Sequence, residues 1–379
     1  MTDKWIVNSY DEWSQLRDVI VGRIDGFFGF HFDNSFDIGC FDNLKPFLES
    51  HRYFKDKMGK FNWPLIRIKP EIIAELNEDI EGFVKTLKSL GVIVHRPSQI
   101  VGKERIQTPF WTSYQSAPLN VRDQTIILGS TIVETAPTVR SRIFENDYMK
   151  PLFYQYMLQG AHWQCMPRPT LCAGALDPSF FVLSKKEGEA LKDHHALPLT
   201  GLGLELVFDG AQCIRVGKDV LVNVANRNHE LGLRWLISEF GDIFNFHRLD
   251  RLVDNHIDSL ILPLRPGLWL LRSRKVLEFI PPEFRKWDVI VAPGRTKYPF
   301  PSYKHNDFAM SSRFLDMNLL SINEKTVIVN SLFPELIEVL EDNGFKVIPV
   351  LHRHGRLFGG GFHCFTLDMH RDGNLKSYV

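Results

Sequence analysis

The sequence predicts an α/β protein folded as a five-bladed α/β propeller of pseudo-symmetric ββαβ modules, each roughly 70 residues long. Two observations predict this fold. A helical pattern followed by a short apolar strand recurs along the whole chain, and a pair of β-rich runs precedes each later helix. The two ends of the chain supply the strands that complete the fifth module, which would close the ring.

The first helix sets the pattern for the others. Between Pro70 and Leu90, apolar residues recur at the spacing of one helix face, and Gly91 follows the last turn. A strand is predicted directly afterwards, at 92–94. Four further helices are predicted at 147–159, 230–240, 276–287 and 334–343, and four further strands at 161–163, 243–246, 289–291 and 345–348. The copy at 276–287 is the weakest of them.

Paired β-rich runs joined by turn residues stand before the later helices. These pairs are 124–128 with 131–134, 213–216 with 220–224, 259–264 with 268–271, and 317–320 with 326–329. Residues 16–21 and 362–369 would complete the remaining module. Segments 27–63 and 299–307 do not follow the repeat and are predicted to be loops over one mouth of a central channel. A plain two-layer α/β domain is the alternative, which the repeat disfavours.

Composition limits the class of function. Lys+Arg and Asp+Glu both number 45 and form no basic block, which argues against nucleic acid or an anionic membrane as the main partner. No apolar run is long enough to span a bilayer, and the first residues lack the apolar centre of a signal peptide. Five cysteines without CxxC spacing predict a cytoplasmic protein with no disulfide framework and no metal site. We expect a single domain over residues 1–379.

Reactive side chains stand near the head of the inner strand in successive modules. They lie in Arg122-Asp123, Phe208-Asp209, His256-Ile257-Asp258, Ser311-Ser312 and His363-Cys364. Equivalent positions in a ring face one another, and residues two apart on a strand share a face. Taken alone, each such cysteine, histidine or aspartate is more often structural than catalytic. Their coincidence at equivalent positions predicts one site.

Two other motifs need separate interpretation. The glycines at 359–361 are predicted to let backbone and substrate approach the sulfur of Cys364. The pairs His194-His195 and His352/His354 have no acidic or cysteine partner at ligand spacing. They are predicted to be solvated loop histidines and not metal ligands.

The chain resembles the amidinotransferases related to glycine amidinotransferase and inosamine-phosphate amidinotransferase, which are guanidino-group-modifying enzymes. The similarity runs from about residue 8 to 378. Besides the motifs above, it is carried by Val139-Arg140-Ser141-Arg142, Pro167-Arg168-Pro169-Thr170, Gly210-Ala211 and Gly360-Gly361-Phe362. The resemblance implies the propeller fold, no cofactor, L-arginine as donor and a small primary amine as acceptor. Relatives are often dimers, so a homodimer is one expected oligomeric state.

The resemblance also implies roles for the catalytic residues. Cys364 matches the nucleophile, His256 the general acid and base, and Asp209 the carboxylate that orients the imidazole. A thiol needs a neighbouring cation to ionise at neutral pH, and a protonated His256 is expected to supply it. The same imidazole would protonate the departing ornithine and later deprotonate the incoming amine, so the transfer would be ping-pong.

The donor-binding residues follow from the same resemblance. Asp123 and Asp258 match the pair that grips the donor guanidinium, a planar fork of N–H donors suited to two carboxylates. Ser311 and Ser312 match residues near the amino-acid end of the donor. The family's Asn-Pro-Asp-Arg stretch, whose arginine holds the donor carboxylate, reads Arg272-Ser273-Arg274-Lys275 here. Arg274 or Lys275 is expected to take that task.

Two more departures concern the acceptor and the second carboxylate. The family often has an aspartate where this chain has Gln212. Asn255 precedes His256, where the glycine-specific enzyme has a bulkier apolar residue, which implies an acceptor larger and more polar than glycine. The amidinotransferase of saxitoxin biosynthesis and the inosamine-phosphate enzyme are therefore the expected nearest relatives, with a role in secondary-metabolite biosynthesis. A deiminase of the same superfamily, glycine as the acceptor, and a binding protein with an inactive site are the alternatives.

Overall fold

The computed structural model describes residues 5–31, 35, 65–100, 105–172, 175, 204–253, 255–294, 311 and 315–379. Within them the strands are β1 (Leu16–Val21), β2 (Gly29–His31), β3 (Leu65–Arg67), β4 (Ile93–His95), β5 (Arg105–Gln107), β6 (Thr112–Tyr114), β7 (Thr125–Leu128), β8 (Thr131–Glu134), β9 (His162–Cys165), β10 (Cys213–Val216), β11 (Asp219–Val224), β12 (Asn245–Asp250), β13 (Ile261–Arg265), β14 (Leu268–Leu271), β15 (Asp288–Val291), β16 (Leu320–Asn323), β17 (Thr326–Asn330), β18 (Lys346–Val350) and β19 (Thr366–Arg371).

Five three-stranded sheets share one pattern in the described part of the chain. Their strand orders are β19-β1-β4, β7-β8-β9, β10-β11-β12, β13-β14-β15 and β16-β17-β18. In each sheet the first pair is antiparallel and the second pair is parallel. A parallel pair needs a crossover connection, which is what the helix of a ββαβ module supplies. The five predicted modules of the α/β propeller are confirmed.

The helices in the described part of the chain are α1 (Pro70–Ser89), α2 (Val121–Gln124), α3 (Lys150–Leu158), α4 (Arg227–Phe240), α5 (Pro334–Asp342) and α6 (Gly355–Phe358). The prediction of a helix at 276–287 is wrong. Two 3₁₀ turns, Arg274–Glu278 and Pro282–Phe284, occupy this crossover. Pro281 and Pro282 explain the break, because proline donates no N–H and clashes with the preceding helical turn.

The N- and C-terminal strands share one sheet. β1 pairs antiparallel with β19, with Val21 opposite Thr366, and parallel with β4. Before β1 begins, the backbone N–H of Asn8 donates to the carbonyl oxygen of Met369 in β19 at 2.8 Å. The two chain ends therefore complete one module, as the repeat predicts.

Burial follows the predicted periodicity. Leu76, Ile80 and Phe83 lie on one face of α1 and pack in a core cluster with Val19 and Val21 of β1. The burial of apolar area at about 25 cal/mol per Å² is the main force holding helix and sheet together. No helix in the described ranges is both long and apolar enough to cross a membrane.

Two strands start three or more residues later than predicted, and both shifts concern the site. β16 begins at Leu320 because Leu315–Met317 forms a 3₁₀ turn, so the backbone just before this strand is curved. β19 begins at Thr366, and the residues before it form a turn in which Phe365 N–H donates to Gly361 O at 3.0 Å. Cys364 therefore lies in a turn and not in the strand itself. Of the loop predicted at 27–63, the structure describes residues 27–31, where 29–31 forms β2, and Ser35. The loop predicted at 299–307 lies outside the described residues.

A buried ion network joins residues of three modules. Arg215 on β10 binds Glu12 at 2.8 Å and Asp368 of β19 at 3.3 Å. Arg122 of α2 binds the same two carboxylates at 3.2 and 2.9 Å. Arg371 closes the network by donating to Asp368 at 2.8 Å. All five side chains are buried, so their charges depend on one another for compensation.

Candidate active site

The nucleophile candidate, Cys364, is buried in the turn before β19, where 2% of its surface is exposed. Its Sγ lies 3.3 Å from Asp258 Oδ2 and 3.1 Å from Asn318 Nδ2. The backbone N–H of Cys364 donates to Asn318 Oδ1 at 3.0 Å. The sulfur therefore has a carboxylate and an amide in direct contact.

The glycine run fits tightly around this turn. A Cβ on Gly360 would lie 2.9 Å from Cys364 Cβ and 2.2 Å from Asn120 Oδ1. A Cβ on Gly361 would lie within 2.9 Å of Asn318 atoms, and Gly359 has φ +74°. The glycines thus bring the backbone close to the sulfur and to two asparagines, which no larger residue would allow.

His256 lies between two carboxylates. Its Nε2 is 2.9 Å from Asp209 Oδ2, and its Nδ1 is 3.6 Å from Asp123 Oδ1. Asp209 is held in turn by Thr138, whose backbone N–H and hydroxyl both donate to Oδ1 at 3.2 Å. Burial opposes the charged imidazole, but Asp123 and Asp209 outweigh it and raise the pKa of His256 to about 9. The imidazole is therefore protonated at neutral pH.

The same contacts fix the charge of Asp209. Burial opposes its ionised form, yet the hydrogen bonds from His256 and Asn255 lower the pKa of Asp209 to about 2. The Asn255 contact is Nδ2 to Asp209 Oδ2 at 3.1 Å. Asp209 thus remains an anion that orients and charges the imidazole.

The two guanidinium-binding candidates differ in their partners. Asp258 Oδ2 accepts from Asn318 Nδ2 and from His363 Nδ1, both at 2.8 Å. Burial opposes ionisation, but the His363 contact leads the groups that lower the pKa of Asp258. Asp123 Oδ2 accepts from Arg142 Nη1 at 2.7 Å, whereas its buried Oδ1 has no hydrogen-bond partner among the described residues. Burial accordingly raises the pKa of Asp123.

The electrostatics at the sulfur differ from the expectation. Burial, followed by the charges of Asp258 and Asp123, raises the pKa of the Cys364 thiol well above its usual value. The imidazolium of His256 lies beside Asp123 and Asp209 and is not among the largest causes of the shift in the thiol pKa, whereas the sequence predicts that it lowers this pKa. A cation placed between the carboxylates would counteract the rise that they cause in the thiol pKa.

The remaining predicted residues are less closely joined to this group. Ser311 N–H and Oγ contact Arg356 O at 3.2 and 3.4 Å, and Ser312 lies outside the described residues. Arg274 and Lys275 are exposed in the 3₁₀ turn. Arg274 lines a surface cavity of about 430 Å³ whose lining includes none of the catalytic candidates.

Gln212 hydrogen-bonds the backbone on both sides of its amide group. Its Oε1 accepts from the backbone N–H of Asp209 at 2.8 Å, and its Nε2 donates to Asn223 O at 2.9 Å. The amide holds the backbone that carries Asp209. An aspartate could not make the second of these bonds, because an ionised carboxylate has no donor.

Sequence reasoning missed three contributors. Asn318 contacts both Cys364 and Asp258, His363 contacts Asp258, and Arg142 contacts Asp123. Asn318 could have been found, because it lies two residues before β16, as Cys364 lies two residues before β19. His363 and Arg142 both belong to motifs that carry the resemblance, which assigns neither of them a role.

The prediction of solvated histidines is wrong for His352 and His354. Both are buried: His352 Nε2 is 3.1 Å from Gly360 O, and His354 Nε2 is 2.7 Å from Glu75 of α1. The loop folds back onto the helix, which spacing alone does not reveal. In the described ranges, no group of three or more His, Cys, Asp or Glu side chains is arranged to hold a metal ion.

Comparison with known proteins extends this description, although no protein-family model matches the chain. Inosamine-phosphate amidinotransferase 1 of Streptomyces griseus is 32% identical over 368 residues, covering 97% of both chains. L-arginine:L-lysine amidinotransferase of Pseudomonas savastanoi pv. phaseolicola is 31% identical, covering 98% of this chain and 96% of its own length. Mitochondrial glycine amidinotransferase of Xenopus laevis is 30% identical, covering 98% and 84%.

Solved structures of amidinotransferases are also similar to this chain. The inosamine-phosphate amidinotransferase of Streptomyces griseus superposes with a TM-score of 0.78 at 29% identity, covering 98% of this chain and 99% of that one. An amidinotransferase of the saxitoxin biosynthetic pathway from Microseira wollei gives 0.76 at 28% identity, with the same coverage. Fold, length and sequence agree across nearly the whole chain, and the protein belongs to the amidinotransferase family.

Proposed function

We propose that this enzyme transfers the amidino group of L-arginine, through a covalent amidino group on Cys364, to a primary amine of a small-molecule acceptor, and releases ornithine. The observation that carries the proposal is the convergence of Cys364, His256, Asp209, Asp258 and Asp123. These residues belong to four distant parts of the chain. Together they supply a nucleophile, a proton carrier and two carboxylates for a planar cation.

The donor site is proposed to lie between Asp258 and the unpartnered Oδ1 of Asp123. A guanidinium presents its N–H donors in one plane, and carboxylates that lie in this plane at two of its edges can fix its position. L-arginine as donor is supported by the Pseudomonas savastanoi relative, whose name states that donor. Arg142 hydrogen-bonds only the other oxygen of Asp123, and His256 Nδ1 lies 3.6 Å from Oδ1, so Oδ1 can still accept a hydrogen bond from substrate.

Donor binding is proposed to activate the sulfur. In the free protein the thiol pKa is raised by burial and by the two carboxylates. A bound guanidinium would offset part of the negative charge of the two carboxylates and so lower the thiol pKa, and the thiol would release its proton to solvent. The thiolate would then attack the central guanidinium carbon, where the retained positive charge favours attack.

His256 is proposed to carry the proton in both halves of the reaction. Its raised pKa keeps it charged, so it can donate its proton to the ornithine nitrogen as the C–N bond breaks. The imidazole is then neutral and can take a proton from the incoming amine. That amine attacks the amidino carbon, the C–S bond breaks, and the thiolate returns.

The amino-acid end of the donor is proposed to meet Ser311 and Ser312, with Arg274 or Lys275 at its carboxylate. This part of the proposal rests on motif similarity, because the described contacts of Ser311 are to Arg356 and Arg274 lines a separate cavity. Substitution of each basic residue by glutamine, with the KM for arginine as the readout, tests it.

We propose an acceptor larger and more polar than glycine, in secondary-metabolite biosynthesis. Relatives named for inosamine phosphate, lysine and glycine are 32%, 31% and 30% identical, so identity does not separate the acceptors. Asn255 supports the proposal, since it is polar, sits beside His256 and has a buried Oδ1 without a hydrogen-bond partner among the described residues.

The proposal also covers the cellular compartment, the domain organisation and the oligomeric state. The cysteines that the structure describes, Cys165, Cys172, Cys213 and Cys364, are all free, which supports a reducing, cytoplasmic environment. We propose one catalytic domain over residues 1–379. A homodimer is the oligomeric state to test, by light scattering of the purified protein.

The decisive experiment incubates the protein with L-arginine and a panel of primary amines that includes glycine, lysine and aminocyclitol phosphates. Ornithine release that depends on one amine, with mass-spectrometric detection of an amidino group on Cys364, is the expected result. Cys364→Ala should lose both signals, whereas Cys165→Ala, at an exposed cysteine, should keep them. Citrulline without ornithine would identify a deiminase, and transfer by Cys364→Ala would overturn the mechanism.

A further inference from the structure

Asn318 uses its whole hydrogen-bonding capacity at the nucleophile. Its Oδ1 accepts from the backbone N–H groups of Gly361 at 2.9 Å and Cys364 at 3.0 Å. Its Nδ2 donates to Asp258 Oδ2 at 2.8 Å and Cys364 Sγ at 3.1 Å. A side-chain amide offers two donors and two acceptor sites, and all four are engaged here.

The position of Asn318 is itself fixed. Its side chain is 3% exposed, and its backbone N–H donates to Leu315 O at 3.2 Å in the 3₁₀ turn before β16. Its side chain lies so close to Gly361 that a Cβ there would approach within 2.9 Å. The amide therefore has little freedom to turn away from the sulfur.

The contacts of Asn318 address a specific electrostatic difficulty. Cys364 Sγ and Asp258 Oδ2 are 3.3 Å apart, so a thiolate would face a carboxylate at contact distance. An N–H₂ group lying between two anions donates one hydrogen to each and offsets part of their repulsion. An aspartate of the same shape has no donor for either partner, and an aliphatic residue also leaves the two backbone N–H groups unpaired.

We infer that Asn318 is a further catalytic residue, which stabilises the thiolate of Cys364 beside Asp258 by donating one Nδ2 hydrogen to each. This inference rests on the proposed role of Cys364 as the nucleophile. It goes beyond that role in assigning the amide a direct contact with a reacting atom. The two bonds to Oδ1 hold the turn so that the sulfur stays on the donated hydrogen.

The test measures Cys364 alkylation by iodoacetamide as a function of pH, without arginine, and reads the modified peptide by mass spectrometry. We expect Asn318→Asp and Asn318→Ser to alkylate about tenfold more slowly than the parent at a fixed pH below the thiol pKa, which corresponds to about one pKa unit. We also expect their kcat for ornithine release to fall more than their KM for arginine rises.

Asn330→Asp is the matched control. Asn330 is also buried, donates to His352 O at 2.7 Å and accepts from two backbone N–H groups at 3.2 Å, and none of these bonds is to the sulfur. This variant should lose stability and keep the alkylation profile of the parent. A profile shift as large as that of Asn318→Asp would mean that any lost buried amide perturbs the thiol, and would overturn the inference.

Two other outcomes are also decisive. If Asn318→Asp and Asn318→Ser are folded by circular dichroism and their alkylation profiles superimpose on that of the parent, the amide does not stabilise the thiolate. If neither variant folds, Asn318 is a structural residue and the inference fails. Because alkylation needs no donor or acceptor, this test stands apart from the transfer assay, and Cys364→Ala separately decides the proposed function.

Discussion

At the scale of single residues, the carboxylates around Cys364 and His256 are distinguished by what occupies each oxygen. Asp209 is surrounded by donors and is held as an anion with a pKa of about 2. Asp123 keeps one oxygen without a hydrogen-bond partner among the described residues. The same residue type thus serves two purposes. Hydrogen bonds stabilise the charge of Asp209, whereas burial raises the pKa of Asp123 although Arg142 and His256 lie beside it.

Asp123→Asn should impair use of the donor. The substitution removes one charge from the guanidinium site, and truncation of a buried charge partner costs about 2–5 kcal/mol, or roughly 30- to several-thousand-fold in kcat/KM for arginine. Steady-state kinetics provide the measurement. Glu134→Gln is the control, because Glu134 is a buried carboxylate that contacts Trp163 and Cys165. Equal losses in both variants would contradict the assignment of Asp123.

His256 should make stability depend on pH in the alkaline range. Its pKa is about 9 when folded and about 6.5 when unfolded, so the imidazolium stabilises the fold fully below about pH 6.5. This contribution, on the order of 2 kcal/mol, is lost as pH rises through 9. Urea denaturation at pH 6 and pH 9.5 should show the loss in the parent. His256→Gln should lose less stability between these two pH values than His162→Gln, which is a control at an exposed position on β9. Equal losses of stability in the two variants would refute this prediction.

At the scale of elements, the turns before the inner strands determine the site. The turn before β19 carries Cys364, and the segment before β16 carries Asn318. Each reactive side chain lies just outside a strand because backbone N–H groups there are not used in the sheet. They are free to bind side chains, as the N–H groups of Gly361 and Cys364 bind Asn318.

Gly361→Ala should disrupt the nucleophile turn. The new Cβ would lie 2.8 Å from Asn318 O, which is backbone and cannot yield without moving the segment. We expect a destabilisation of about 1–3 kcal/mol and a loss of ornithine release. Gly82→Ala is the control, since a Cβ there meets nothing within 4 Å inside α1, and it should stabilise by about 0.5–1 kcal/mol. An active, stable Gly361→Ala protein would show that the turn tolerates displacement.

At the scale of the whole molecule, the ion network links modules that are distant in sequence. Glu12 precedes β1, Arg215 belongs to β10, and Asp368 belongs to β19. His363 extends the network toward the site, because its ring lies 3.4 Å from Glu12 and 2.8 Å from Asp258. The packing of the five modules and the position of Asp258 are therefore coupled through buried charges.

Glu12→Gln should destabilise the protein strongly. It leaves Arg215 and Arg122 with Asp368 as their remaining carboxylate partner in the network, and breaking a buried ion group costs about 3–5 kcal/mol. The free energy of unfolding in urea is the measurement. Arg17→Gln removes an ion pair with Asp372 in which both side chains are about half exposed, and it should cost about 0–1 kcal/mol. Similar costs for both variants would argue against a cooperative network.

The repeat of strand pair, crossover and strand was readable because apolar periodicity and turn residues are local properties. That periodicity determined the five modules, the ring closure and the set of strand heads where the reactive groups stand. Only the tertiary structure decided which atoms meet: the amide of Asn318 between Cys364 and Asp258, and the two carboxylates on His256. The break in the fourth crossover, by contrast, follows from the local sequence at Pro281 and Pro282. The burial of His352 and His354 was again decided by tertiary packing. These contacts join residues far apart along the chain, and their distances and charges depend on the packing of several modules at once, which no local pattern encodes.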